Sequence, residues 1–169
     1  MLLRCAAAAA LCVGIACDRV TPPPSQPGPA PAAAKTADAW NPSQIAWREY
    51  EEGLAEAKAQ RRPVCLVFFT TWCPHCANYS KVFSDPRVVE AAKKFVMIRL
   101  DGDKNGELSR RYAPDGEYVP RTFFVDPDGK LLADVHESRP RFLYFYDESR
   151  PAGLLAGMQA AVAALGAPN

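Results

Sequence analysis

The feature that most constrains the fold of this chain is an apolar segment that leads almost directly into two closely spaced cysteines. Val64 to Thr70 is almost entirely apolar, and Cys73 and Cys76 follow with Pro74 and His75 between them. An unbroken apolar run of this length predicts a strand in the middle of a sheet, buried on both faces. The residues after Cys76 predict a helix. The two thiols therefore stand at a strand-to-helix junction.

This arrangement suits a redox-active pair of thiols. Two cysteines separated by two residues at the start of a helix can close a disulfide and reopen it with little backbone movement. Unpaired helix N–H groups and the helix dipole stabilise a thiolate on the first of them. We therefore predict that Cys73 is the attacking thiolate and Cys76 the resolving thiol, with Trp72, Pro74 and His75 as supporting residues.

Other uses of the two cysteines fit the sequence less well. A structural disulfide across two residues would close too small a loop to restrict the unfolded chain much. A zinc site needs two more ligands, and besides these cysteines the domain offers His75 and His136 but no second cysteine pair. A c-type haem site needs histidine directly after the second cysteine, where the chain has Ala77. We expect neither a metal nor another cofactor.

Two segments carry a resemblance to a known family. The pentapeptide from Trp72 to Cys76 and the segment Tyr118 to Gly129, which contains Val119-Pro120, resemble those of thioredoxin-fold proteins. The resemblance is closest to the small single-domain thiol oxidoreductases of the anterior-gradient type of the endoplasmic reticulum. It runs from about residue 47 to residue 164. The Pro-His dipeptide is similar to the one between the cysteines of DsbA-type disulfide oxidases.

The resemblance implies an α/β thioredoxin-like fold, with a central mixed β-sheet flanked by helices and an extra N-terminal helix. In such a fold Val64 to Leu100 forms the parallel half of the sheet, and Thr122 to Asp134 forms an antiparallel hairpin. The resemblance also implies a cis peptide bond before Pro120. That bond places the backbone of Val119 beside the cysteine pair, where a substrate chain can dock like a strand.

Val67 departs from the family pattern. Thioredoxins carry a buried carboxylate six residues before the first active cysteine, where it assists proton transfer at the second thiol; this chain has valine there. Together with the Pro-His pair, this favours disulfide formation or isomerisation over reduction.

The length of the chain leaves room for one domain and little else. The chain has 169 residues and a net charge of +1, so nothing in its charge indicates a nucleic-acid partner. Six cysteines would suggest a disulfide framework, but half of them lie in the first seventeen residues. In the domain, Cys65 is predicted to be a buried small hydrophobic residue and not a third redox thiol.

The first 38 residues predict export. Residues 1–16 combine Arg4 with an apolar run too short to span a bilayer, and they are predicted to be a signal peptide. The sequence from Gly14 to Cys17 resembles a bacterial lipobox, which makes Cys17 a candidate for lipidation; ordinary cleavage after Ala16 is the alternative. Residues 17–38 are rich in proline and alanine and predict an extended linker. Residues 39–169 form the predicted domain.

Further elements are predicted around the central strand. A first helix is expected from Asn41-Pro42-Ser43 onward, with Trp47 and Tyr50 docking it on the sheet. A last helix is expected after Pro151, with an inward face made of Leu154, Leu155, Met158, Val162 and Leu165.

The predicted function is thiol–disulfide exchange on exported proteins, leaning to disulfide formation or isomerisation. The expected location is the periplasm or cell envelope, with a lipid anchor holding a monomer to the membrane and an unidentified redox partner recycling the pair. Two alternatives stay open: an envelope thiol reductase, for example one supporting cytochrome c maturation, and a non-catalytic module that holds clients. Cys76 argues against the second, because it would release a trapped client.

Overall fold

The computed structural model describes residues 39–166 of the chain. The predicted signal peptide, Cys17 and the linker all lie outside the described residues.

One mixed sheet of four strands forms the centre of the fold. Its strands are β1 (Trp47–Arg48), β2 (Val64–Phe69), β3 (Val96–Asp101) and β4 (Arg121–Val125). They lie in the order β1-β3-β2-β4, with β3 parallel to both of its neighbours and β4 antiparallel to β2. The predicted fold class is therefore confirmed, and the apolar strand before the cysteines occupies an interior position.

Helices cover both faces of this sheet. They are α1 (Tyr50–Gln60), α2 (Pro74–Tyr79), α3 (Pro86–Ala92), α4 (Gly106–Arg111) and α5 (Ala152–Ala164), and a 3₁₀ helix (Ser80–Ser84) continues α2. Within residues 39–166, no helix has the length and apolar character that crossing a membrane would need.

Successive side chains of β2 point to opposite faces of the sheet, and the core therefore has two layers. Val64, Leu66 and Phe68 pack on one face of the sheet, with residues of α1 and Tyr112. Cys65 and Val67 point to the opposite face, into the same cluster as the buried residues of α2, α3 and α5. Cys65 is fully buried, as a small core residue would be.

The predicted start of the first helix is wrong. The helix begins at Tyr50, and Trp47 and Arg48 instead pair with Met97 and Ile98 as an edge strand. The edge of β3 offers backbone partners to a parallel extended segment. Ile45 and Trp47 are more buried than Ala46 between them, which is the alternation expected of a strand. Helical spacing over so short a stretch did not distinguish the two conformations.

The second strand of the predicted hairpin is also largely missing. Beyond β4, the turn at Gly129 leads to a single bridge between Val125 and Leu131. Pairing ends there because Val135 N–H closes a turn onto the carbonyl of Leu132. Near the start of β4, the N–H of Thr122 donates to the carbonyl of Tyr144 at 2.9 Å.

The inward face of α5 differs from the predicted one. Leu154 and Met158 are buried as expected, but Leu155, Val162 and Leu165 are only half-buried. Gly157 takes an inward position instead. A Cβ at Gly157 would lie 2.7 Å from the ring of Phe124, so glycine lets the helix approach the sheet closely.

Candidate active site

The two cysteines of the redox motif lie at the first turn of α2. Cys73 occupies the N-cap position, and its Sγ accepts a hydrogen bond from the backbone N–H of Cys76 at 3.1 Å. Pro74 fills the first position of the helix, where its missing N–H costs nothing and its fixed φ suits the helical turn. The strand-to-helix junction therefore brings the two side chains together, as the spacing predicts.

Both cysteine side chains are buried, and Cys76 is more deeply buried than Cys73. Cys73 retains 4% of its accessible surface and Cys76 only 1%. Both are free thiols in the structure. Burial, followed by the interaction with Cys73, raises the pKa of Cys76 well above its usual range. Cys76 therefore keeps its proton at neutral pH.

Val119 forms the opposite wall of the site. Its carbonyl oxygen lies 3.7 Å from Sγ of Cys73, within hydrogen-bonding distance of a thiol. The Val119–Pro120 peptide bond is cis, and Pro120 is buried directly before β4. The loop that enters β4 thus presents its backbone to the first cysteine from a point 46 residues further along the chain.

A buried arginine fixes this loop. Arg121 follows Pro120 and is fully buried, and its Nη1 donates to the carbonyls of Tyr112 and Gly116 at 2.9 and 3.0 Å. Its Nη2 donates to the hydroxyl of Ser109. The sequence carried no signal for this role, because arginine is normally a surface residue.

Trp72 and His75 have hydrogen-bond partners outside the cysteine pair. The side chain of Trp72 is 69% exposed, and its indole N–H donates to Asp103 Oδ2 at 2.8 Å. Among the hydrogen bonds of residues 39–166, none joins His75 to either thiol. Its Nδ1 instead lies 2.8 Å from Oε2 of Glu148. Sequence reasoning assigned no role to Asp103 or Glu148, which are remote from the motif along the chain.

The residue that departs from the family pattern lies in the core below the thiols. Val67 is fully buried in the same cluster as Cys73 and Cys76. A carboxylate in that position would be buried among apolar side chains. In the part of the chain that the structure describes, no group of three or more His, Cys, Asp or Glu side chains could hold a metal ion.

Comparison with known proteins gives consistent results. A family model described as thioredoxin-like matches residues 46–127. The human anterior gradient protein 2 homolog is 32% identical over 121 residues, which cover 70% of this chain and 67% of the relative. Anterior gradient protein 1 of Xenopus tropicalis is 32% identical over 143 residues, covering 81% and 75%.

A solved structure supports the same fold. The solution structure of a thioredoxin from Thermus thermophilus superimposes with a TM-score of 0.57 at 27% identity, covering 73% of this chain and 92% of that one. The fold and these relatives define the class as a thiol–disulfide oxidoreductase, which acts on protein thiols and disulfides. Within that class, the chain belongs to the thioredoxin-like family that includes the anterior gradient proteins.

Proposed function

We propose that the Cys73–Cys76 pair exchanges thiols and disulfides on exported protein substrates, mainly to form or isomerise disulfides. The observation that carries this proposal is the position of Cys73 Sγ, 3.1 Å from the N–H of Cys76 and 3.7 Å from the carbonyl oxygen of Val119. One sulfur thus lies beside both its resolving residue and a free stretch of backbone. A cysteine pair with a purely structural role would not require the backbone of Val119 beside Cys73.

In the oxidising direction, a substrate thiolate attacks Sγ of Cys73 in the disulfide form of the enzyme. The Cys73–Cys76 bond breaks, and Cys76 leaves with the electron pair and takes up a proton, since its thiol has a raised pKa. A second substrate thiolate then attacks the substrate sulfur of the mixed disulfide. The substrate gains a disulfide, and Cys73 is released as a thiolate.

Isomerisation uses the reduced enzyme in the opposite sense. Cys73 thiolate attacks a wrongly paired substrate disulfide, forms a mixed disulfide and frees one substrate thiolate. That thiolate attacks another disulfide of the client, and the thiolate displaced there attacks the substrate sulfur of the mixed disulfide and releases Cys73 as a thiolate. Cys76 resolves a mixed disulfide that persists, releasing the substrate thiol and leaving the enzyme oxidised. The backbone of Val119 is the proposed docking point for the client chain next to Cys73.

Two features of the chain support the oxidising or isomerising direction. The dipeptide between the cysteines, Pro74-His75, matches that of DsbA-type oxidases, and Val67 replaces the buried carboxylate of thioredoxins. Val67 therefore cannot supply the carboxylate that assists proton transfer from the second thiol in thioredoxins when that thiol attacks a mixed disulfide as the reductant.

The leader supports action outside the cytoplasm. Residues 1–16 are proposed to direct export, and Cys17 is proposed to carry a lipid that anchors residues 17–38 as a tether. A separate redox partner in the envelope is then required to re-oxidise the pair after each round of disulfide formation.

The direct test uses a reduced, unfolded secreted protein whose activity depends on its disulfides. The wild-type enzyme should speed the recovery of that activity in a glutathione buffer, and Cys73→Ser should abolish the gain. Cys65→Ser serves as the matched control, because its thiol is buried in the core and should not take part. A wild-type enzyme that gives no acceleration contradicts the proposal.

A second candidate is the reverse direction, reduction of disulfides in envelope proteins. The likeness to the Thermus thermophilus thioredoxin favours it. This hypothesis requires an electron donor that recycles the enzyme. It predicts that the enzyme then reduces a substrate disulfide faster than it forms one.

A further inference from the structure

His75 is held by a glutamate that lies 73 residues further along the chain. Its Nδ1 is 2.8 Å from Oε2 of Glu148, and its ring packs edge-on against Phe145 with 6.0 Å between centroids. The His75 side chain is 60% exposed and that of Glu148 27% exposed. Two separate contacts therefore turn the imidazole toward the loop before α5.

Two of the remaining charges around His75, Asp147 and Arg139, have other partners. The same recess is lined by Glu137, Arg139 and Asp147. Arg150 binds Asp147 at 2.7 Å, and Arg139 donates to the carbonyl of Phe145 at 2.7 Å. Besides His75, the first and last turns of α2 carry no charged side chain. Within residues 39–166, the ion pair of His75 is with Glu148.

We propose that Glu148 is a positioning residue that balances the charge of His75 and so makes the Cys73–Cys76 pair less oxidising. This inference rests on the proposed function, since it concerns the same pair of thiols. When the disulfide accepts two electrons from a pair of thiols, the S–S bond breaks; those thiols release two protons, of which one goes to Cys76 and the other to solvent. Cys73 is left as a thiolate and Cys76 as a thiol. A positive charge next to Cys73 favours that product, and a carboxylate beside the imidazole cancels the effect.

The sign of the Glu148→Gln effect does not depend on how far the imidazole is protonated, whereas His75→Asn changes the charge only to the extent that the imidazole carries one. With both residues present, the pair ranges from one negative charge to neutral. In Glu148→Gln it ranges from neutral to one positive charge, so it is the more positive of the two at every pH above the carboxylate's range. In His75→Asn the unpaired Glu148 leaves a full negative charge. In the double variant the pair is neutral.

The test is the equilibrium of the full chain with glutathione at a pH of about 6, where an ordinary imidazole is largely charged. Glu148→Gln should shift the equilibrium toward the dithiol by about twofold to fivefold, the range of an exposed ion pair. His75→Asn should shift it toward the disulfide, and the double variant should return close to wild type. Glu137→Gln removes the same charge from the same recess without contacting His75 and should change it less.

A loss of packing alone would move both single variants in the same direction, whereas charge balance moves them in opposite directions. Equal potentials in wild type and Glu148→Gln, or a shift of that variant toward the disulfide, would overturn the inference and leave the exchange mechanism standing. A wild-type pair that does not equilibrate with glutathione at all would overturn both.

Discussion

The hydroxyl of Tyr79 lies 2.8 Å from Oγ1 of Thr122, and both side chains are almost fully buried. Tyr79 ends α2, and Thr122 lies in β4 two residues after Pro120. One hydrogen bond therefore joins the helix that carries the cysteines to the strand that follows Val119. It helps to fix the distance between Cys73 and the proposed docking backbone.

Removing this bond should loosen the site. Tyr79→Phe leaves the Thr122 hydroxyl buried without its partner, which should lower the free energy of unfolding by about 1–3 kcal/mol. Thr122→Val should cost a similar amount, and the double variant should cost less than the sum. Urea unfolding of all four proteins measures the coupling. Strictly additive losses would show that the two hydroxyls do not interact.

Cys76→Ser should trap substrates. Without the resolving thiol, a mixed disulfide on Cys73 is released slowly, so client proteins should accumulate as adducts on non-reducing gels. Adding Cys73→Ser to the same chain should remove every adduct. If adducts persist in the double variant, the attacking sulfur is a different cysteine.

Replacing Arg121 should damage both the stability and the docking loop. In Arg121→Met, the carbonyls of Tyr112 and Gly116 lose their donor inside the protein, which should cost about 2–4 kcal/mol. Arg121→Lys keeps the charge but not the planar fork and should recover only part of the loss. Unfolding midpoints and the rate of exchange with a peptide disulfide measure the two effects. Full stability in Arg121→Met would contradict the assigned role.

The stabilisation that the Asp85 carboxylate provides should be lost in acid. Hydrogen bonds from the Arg87 guanidinium, and then from its backbone N–H, lower the pKa of Asp85 to about 2. Because the folded-state pKa lies below the unfolded value of about 4, the stabilisation is present above about pH 4 and is lost as the pH falls toward 2. Asp85→Asn keeps a good N-cap for α3 without the charge. The stability difference between wild type and Asp85→Asn should therefore shrink between those pH values. A constant difference would contradict this account.

The central strand and the cysteine pair could be predicted because their signals are local. A buried strand needs a run such as Val64 to Phe69, and a dithiol at a helix start needs fixed spacing, so a few neighbouring residues carry each pattern. By contrast, the place of Val119-Pro120 beside Cys73 is implied only by the resemblance to a family and by no local pattern.

The remaining parts depend on partners that no local pattern identifies. Trp47 and Arg48 are a strand because β3 has a free parallel edge, and that edge exists only after the sheet has formed. Arg121 is buried because the loop before β4 encloses it with carbonyl acceptors. Glu148 reaches His75 across 73 residues of chain, and its own neighbours, Asp147 and Ser149, indicate only a polar turn.

The reduction potential of the Cys73–Cys76 pair distinguishes an enzyme that forms disulfides from one that reduces them. It is measured in glutathione buffers through the fluorescence of the protein, to which the nearby Trp72 contributes. The proposed function requires a reversible disulfide with a potential above about −200 mV, in the range of protein disulfide isomerase and DsbA. A potential near that of thioredoxin, about −270 mV, would contradict the proposed direction. A pair that forms no disulfide would contradict the exchange mechanism itself.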